Sequence, residues 1–190
     1  MKSNLKNLTY KKVNKNNIDI AYNFQKNEWP HQPDREQFIK HYKMNSPKNI
    51  NFIVYYKGDP IGITGVYEEE IDKSTLWLDW YCIDKKYRGI GLGKQILRDT
   101  IEYCKQFDDI YFLRAESNLS KTRESSWLYI SEMDFIEKYT AEDTETEKYG
   151  YYICTKQLRK CTTNPLWNNK CLNFNNMYNS LRNNIKEIKW

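Results

Sequence analysis

At 190 residues the chain has the length of one ordinary domain, enough to fold without metal or disulfide staples. A mix of 39% hydrophobic and 29% charged residues is globular rather than disordered, and its apolar runs fall far short of the ~20 residues that cross a bilayer. The net charge of +5 permits contact with phosphate groups, but no Lys/Arg stripe dominates, so nucleic acid is not an expected partner.

Met1 to Lys12 carries lysines without an apolar segment, so no secretory signal is expected. Residues 7–13 read as a strand, and Asn14 to Asn17 as the cap of a helix over 15–27. The loop from Asn27 to Pro33, with Trp29 and His31, separates it from a second helix over 33–43. Residues 51–57 and 61–68 form a hairpin about the turn Lys57-Gly58-Asp59-Pro60. Thr75 to Ile83 is a strongly β-prone strand. Leu92, Ile96, Leu97, Ile101 and Cys104 recur at helical spacing over 92–105. A strand over 109–115, a helix over 123–133 and strands over 135–140 and 148–157 complete the core. The order β-α-α-β-β-β-α-β-α-β-β predicts one mixed α/β domain over 1–157, its central sheet mostly antiparallel and flanked by helices. No internal repeat is visible. In the Asn-rich extension 158–190, Phe174, Tyr178, Leu181, Ile185 and Ile188 recur at steps of three and four. That spacing suits an amphipathic helix docking on its own core or on a second subunit, as in a homodimer.

Five cysteines, Cys82, Cys104, Cys154, Cys161 and Cys171, include no C-x-x-C pair, and His31 and His41 are the only histidines. This argues against a zinc site or a disulfide framework and for buried thiols in a reducing, cytoplasmic setting.

The informative stretch is Ile83-Asp84-Lys85-Lys86-Tyr87-Arg88-Gly89-Ile90-Gly91-Leu92-Gly93-Lys94, a strand running through three alternate glycines into a helix. Glycines let a ligand approach bare backbone, and amides converging at a helix N-terminus form an anion cradle. Arg88 and Lys94 add positive charge, so a pyrophosphate is the natural guest. A Walker A loop is excluded, because Arg88 stands where its first glycine belongs and Gln95 replaces its hydroxyl residue. A dinucleotide fingerprint needs G-x-G-x-x-G in a parallel βαβ unit, which the spacing and the preceding meander do not supply.

Arg88-x-x-Gly91-x-Gly93 instead resembles the (Q/R)-x-x-G-x-(G/A) motif of the GNAT superfamily of N-acyltransferases, and the element order over 7–157 is similar to that fold. Lys85 stands where the family has proline. In the family's later helix pattern Ile130 takes the tyrosine slot, Tyr129 the position before it, and Asp134 the usual glycine.

The resemblance implies acetyl transfer from acetyl-CoA to a primary amine by direct attack through a tetrahedral intermediate, without a metal. Arg88, Gly89, Ile90, Gly91, Leu92, Gly93 and Lys94 would hold the cofactor, with Asn118 and with the amide of Ile83 as oxyanion donor. An alkyl amine of pKa near ~10.4 is almost wholly protonated at pH 7, so a base is needed. Asp79 shares strand parity with Tyr81 and Ile83 and is the candidate, on the expectation that it faces the acceptor cleft. Tyr129 is the candidate acid. A hydrogen-bonded strand carboxylate, ordinary helix packing and a turn residue are the plain structural alternatives for Asp79, Tyr129 and Asn118. Trp29 and Tyr81, with His31 and the acidic loop Glu142, Asp143, Glu145 and Glu147, would line the amine site and suit a cation. A non-catalytic acyl-CoA sensor or assembly module is the rival reading.

Overall fold

In a computed structural model of the chain, the described residues are 1–2, 5–30, 35–44, 46–70, 72–117, 124–139, 151–163, 165–167 and 183–184. They form β1 (Leu8–Lys12), α1 (Ile18–Glu28), α2 (Arg35–Met44), β2 (Ile50–Tyr56), β3 (Asp59–Glu68) and β4 (Thr75–Ile83). A short 3-10 turn (Lys85–Tyr87) then leads to α3 (Leu92–Cys104), β5 (Phe112–Ser117), α4 (Glu124–Glu132), β6 (Phe135–Tyr139), β7 (Tyr151–Gln157) and β8 (Asn183–Asn184). The fold is mixed α/β with mostly antiparallel pairing, as the element order predicts. Among the described residues no helix is long and apolar enough to cross a membrane.

The chain divides into two compact units, 1–68 with 78–103 and 69–77 with 104–190, so β4 contributes to both. In the first unit the strand order is β1-β2-β3-β4. The β2–β3 hairpin turns through Lys57 (φ 54°) and Gly58 (φ 93°), the left-handed pair that matches strand twist. A register shift follows, with Val54 opposite Gly62 and Tyr55 opposite Pro60, leaving Ile61 as the extra residue of a bulge. The bulge decides which core each side chain joins. Ile63 packs with Val13, Ile18, Ala21, Phe38 and Ile53 beside α1 and α2. Ile61, two residues away, packs instead with Leu8, Val54, Leu92 and Ile96 beside α3. The predicted apolar stripe of α3 is buried throughout: Leu92, Ile96, Leu97, Ile101 and Cys104. Asn17 stands at the N-cap of α1, but its side chain makes no capping bond. It turns back to accept from the Asn14 amide at 2.7 Å and to donate to the Lys12 carbonyl at 3.0 Å.

In the second unit the strand order is β4-β5-β7-β6-β8. Thr75–Trp77 of β4 runs parallel to Phe112–Arg114 of β5, whereas β5–β7, β6–β7 and β6–β8 are antiparallel. Arg114 is fully buried and donates to Asp72 and to the Thr75 hydroxyl, while Ser74 and Thr75 also donate to Asp72 at 2.8 Å. The segment after β7 belongs to this unit: Leu158 donates to the Tyr111 carbonyl, and the Trp167 amide donates to the buried Glu137 at 2.7 Å. Asn183 and Asn184 are extended against β6 rather than helical, and the rest of the expected helix of the extension lies outside the described residues.

Burial opposes ionisation of Asp72, but Arg114 and the two hydroxyl donors outweigh it and hold its carboxyl below the ordinary 3.8. The stabilisation from this carboxylate is therefore complete above pH 3.8 and is lost as pH falls through the lower folded value. Asp72→Asn should cost about 3–5 kcal/mol by leaving the buried Arg114 charge uncompensated. Urea unfolding across a pH series should show the smaller stability and the loss of that acid limb.

Candidate functional site: a glycine loop at the head of α3

At the end of β4 the backbone reverses under several local constraints. The Asp84 amide donates to the Ile61 carbonyl at 2.8 Å, and the Asp84 carboxylate accepts from the Lys86 amide at 3.0 Å. The Tyr87 amide donates to the Asp84 carbonyl and the Arg88 amide to that of Lys85, closing the 3-10 turn. Gly89 (φ 78°) and Gly91 (φ 84°) then adopt left-handed conformations that L side chains resist. A Cβ at either position would meet nothing among the described residues, so these glycines serve the backbone path and the open space above it. The Gln95 amide donates to the Gly91 carbonyl at 3.2 Å and starts α3. Among the described residues, the amides of Gly89, Ile90 and Gly91 have no acceptor. They stand at the positive end of a 13-residue helix, an arrangement suited to an anion.

Only part of the sequence-predicted set presents side chains here. Ile90 is 65% exposed at the tip, whereas Leu92 is buried in the core beside α3, which leaves only its backbone available. Lys94 is exposed on the first turn of α3. Arg88 points back into the protein rather than toward the loop's open side. Its Nε donates to the Ile83 carbonyl at 2.8 Å and its Nη2 to Glu28 at 2.6 Å. The hydroxyl of Tyr81 is engaged with the Gly93 carbonyl at 2.5 Å. Trp29, at the end of α1, meets Trp80 edge-on with centroids 5.3 Å apart, and Phe38 stacks on the same Trp80 at 6.1 Å.

Asp79 is 4% exposed and accepts from the Asn51 side chain at 2.9 Å. The parity that would put it on the face of Tyr81 and Ile83 does not hold. Trp80 is left-handed (φ 37°), so the strict alternation of β4 breaks between residues 79 and 81. Tyr81 and Ile83 pack in the core beside α3, whereas Asp79 reaches Asn51, which shares its side of β2 with Ile53 beside α1 and α2. Gly65 makes this contact feasible. It pairs with Asn51 across the hairpin, and a Cβ there would fall on the Asn51 carboxamide.

Tyr129, in the second unit, is 6% exposed, and burial with the neighbouring Cys154 raises its phenol well above the ordinary 10. Burial, with Glu28 nearby, pushes the Cys82 thiol up to about 12, and burial also raises Cys104 and Cys154, so these three are not thiolate nucleophiles. Among the described residues no three His, Cys, Asp or Glu side chains cluster as metal ligands. Asn118, His31 and the acidic residues Glu142, Asp143, Glu145 and Glu147 lie outside the described residues. Sequence reasoning missed Glu28, Asn51 and the left-handed Trp80. A carboxylate at a helix C-terminus was the available signal for Glu28; the other two carried none.

A strand, a glycine loop whose Gly89–Gly91 amides have no acceptor among the described residues and a helix beginning at once make an arrangement suited to an anion. The family model described as the Acetyltransferase (GNAT) family matches residues 16–123, and the chain belongs to that family. It is 32% identical over 96 residues to the spermine/spermidine N(1)-acetyltransferase of Bacillus subtilis strain 168, and 33% identical to the probable spermine N(1)-acetyltransferase of B. subtilis subsp. natto. Each match covers 43% of this chain, and the chain spans 61% of the length of these relatives. The fold is similar to that of yncA from Salmonella typhimurium, a putative acetyltransferase solved with acetyl-CoA. That likeness has a TM-score of 0.66 at 14% identity and covers 85% of this chain and 99% of the other.

Replacing Asn51 by Leu removes a buried donor from the Asp79 carboxylate, which should lower stability by about 1–3 kcal/mol. Gly65→Ala should act on the same contact by displacing Asn51. Chemical denaturation of both variants and of the pair should give less than the sum of the single losses, because they break one interaction.

Proposed function

We propose that the chain transfers an acetyl group from acetyl-CoA to a primary amine, with a polyamine as the acceptor. The observation that carries this reading is the run of amides over Gly89–Gly91 at the head of α3, which have no acceptor among the described residues. These groups fit the diphosphate of coenzyme A: they offer donors without acceptors, backbone that no side chain covers, and the helix dipole behind them. The amides of Gly89, Ile90 and Gly91 hold it in this reading, with Lys94 beside them. Bound acetyl-CoA supplies the activated thioester. The polyamine assignment rests on the two Bacillus relatives, whose names give spermine or spermidine as the substrate.

The chain's own residues then have two tasks. An amine of pKa ~10.4 must lose a proton before it attacks, and we assign its removal to Asp79, directly or through a water. The bond from Asn51 keeps one carboxylate oxygen occupied and so orients the group. The second task, departure of the sulfur, is light: a thiol of pKa ~8.5 leaves readily on its own, so no proton donor is obligatory. Family membership and the polyamine-named relatives favour this reading over a silent acyl-CoA sensor.

Incubation with acetyl-CoA and a panel containing spermine, spermidine and unrelated amines, followed by free-thiol release, tests the proposal. Turnover with the polyamines is the expected result; tight binding without turnover across the panel would favour the sensor. Gly91→Glu should weaken coenzyme A binding about a hundredfold or more, because it sets a carboxylate and a strained φ against the diphosphate. Calorimetry should show that loss while circular dichroism shows an intact fold; retained affinity would mean that the loop is not the binding site.

A further inference from the structure

We propose that Glu28 and Tyr81 are positioning residues that pin the two ends of the glycine loop in its ligand-ready shape. The inference rests on the reading that the loop receives the diphosphate of coenzyme A. At the entry to the loop, the Arg88 guanidinium bridges the last carbonyl of β4, on Ile83, and the carboxylate of Glu28. At its exit, the Tyr81 hydroxyl holds the Gly93 carbonyl in the first turn of α3. Between the pins run Gly89, Ile90 and Gly91, whose amides make no bond among the described residues and whose glycines take left-handed φ values.

Two observations set Glu28 apart from an ordinary surface ion pair. It is the last residue of α1, and the Trp29 amide closes the helix on the Gln25 carbonyl just beyond it. A carboxylate at the negative end of a helix disfavours that helix, so local stability does not explain its placement. The Arg88 and Glu28 side chains are also 28% and 33% exposed, a setting in which ion pairs add little to global stability. What the pair does instead is geometric. It turns Arg88 away from the loop's open side and ties the start of the loop to β4 and α1. Three alternate glycines lose more backbone freedom on ordering than any other residues, and an unpinned loop would bear that loss when ligand binds. Pins formed in the free protein remove that cost from the binding step.

The test compares wild type with Glu28→Gln and Tyr81→Phe in the full chain. In ligand-free protein, backbone order parameters at Gly89, Ile90 and Gly91 should fall from the rigid range near ~0.85 to below ~0.6 in each variant. The Kd for coenzyme A by calorimetry and the KM for acetyl-CoA should each rise about tenfold, with kcat changing less than about twofold. For Glu28→Gln the thermal midpoint should move by less than about 2 °C. Combining Glu28→Gln with Arg88→Gln should weaken binding little beyond Arg88→Gln alone, because Glu28 acts through Arg88. Unchanged order parameters in both variants, or fully additive losses in the Glu28 and Arg88 pair, would overturn the proposal. If wild type binds no coenzyme A while the variants still loosen the loop, the pins stand and the functional reading falls.

Discussion

Between Ile83 and Gly93 the backbone must leave a strand, reverse and start a helix while keeping three consecutive amides without acceptors among the described residues. Polar backbone is normally paired, and groups left open in an ordered turn are held so by what surrounds them. Here the surroundings are specific: Ile61 takes the Asp84 amide, Asp84 takes that of Lys86, and Arg88 and Tyr81 secure the carbonyls on either side. The loop is thus a donor surface at the positive end of α3. Everything proposed about chemistry follows from that constraint.

The first unit's sheet separates two cores, and two departures from regular strand geometry assign residues to them. The bulge at Ile61 moves one isoleucine beside α3 while Ile63 stays beside α1 and α2. The left-handed Trp80 similarly directs Asp79 toward Asn51 and away from the face of Tyr81. Strained backbone of this kind persists where neighbours over-determine it. Trp80 packs against Trp29 and Phe38, and Gly65 clears the space that the Asn51 carboxamide fills. A candidate base held by a buried amide donor is therefore a product of packing as much as of the carboxylate itself.

In the second unit the organising feature is a buried cation. Arg114 has its charge met by Asp72 and its donors shared with Thr75 and the Pro165 carbonyl, over the ring of Phe112. Such a group tolerates little change, because removing one partner leaves a charge in a poorly polarisable interior. The chain beyond β7 is held in the same manner. Trp167 packs edge-on against Trp77 and its amide is taken by the buried Glu137, so these residues are structural members of the unit.

Local pattern alone determined most of the elements, the stripe of α3 and the place of the glycine loop. Each of these depends on periodicities and turn chemistry that operate within a few residues. The hairpin at Lys57-Gly58 was legible because left-handed turn residues announce themselves, and the loop at 88–93 because alternate glycines before an apolar helical repeat have few other uses. Contacts between residues far apart in the chain were decided only by tertiary structure: Arg88 with Glu28, 60 positions away, Asn51 with Asp79, 28 away, and Arg114 with Asp72, 42 away. The direction of Asp79 was hidden for the same reason. Strand parity is a local rule, and a single residue at positive φ, Trp80, overrides it.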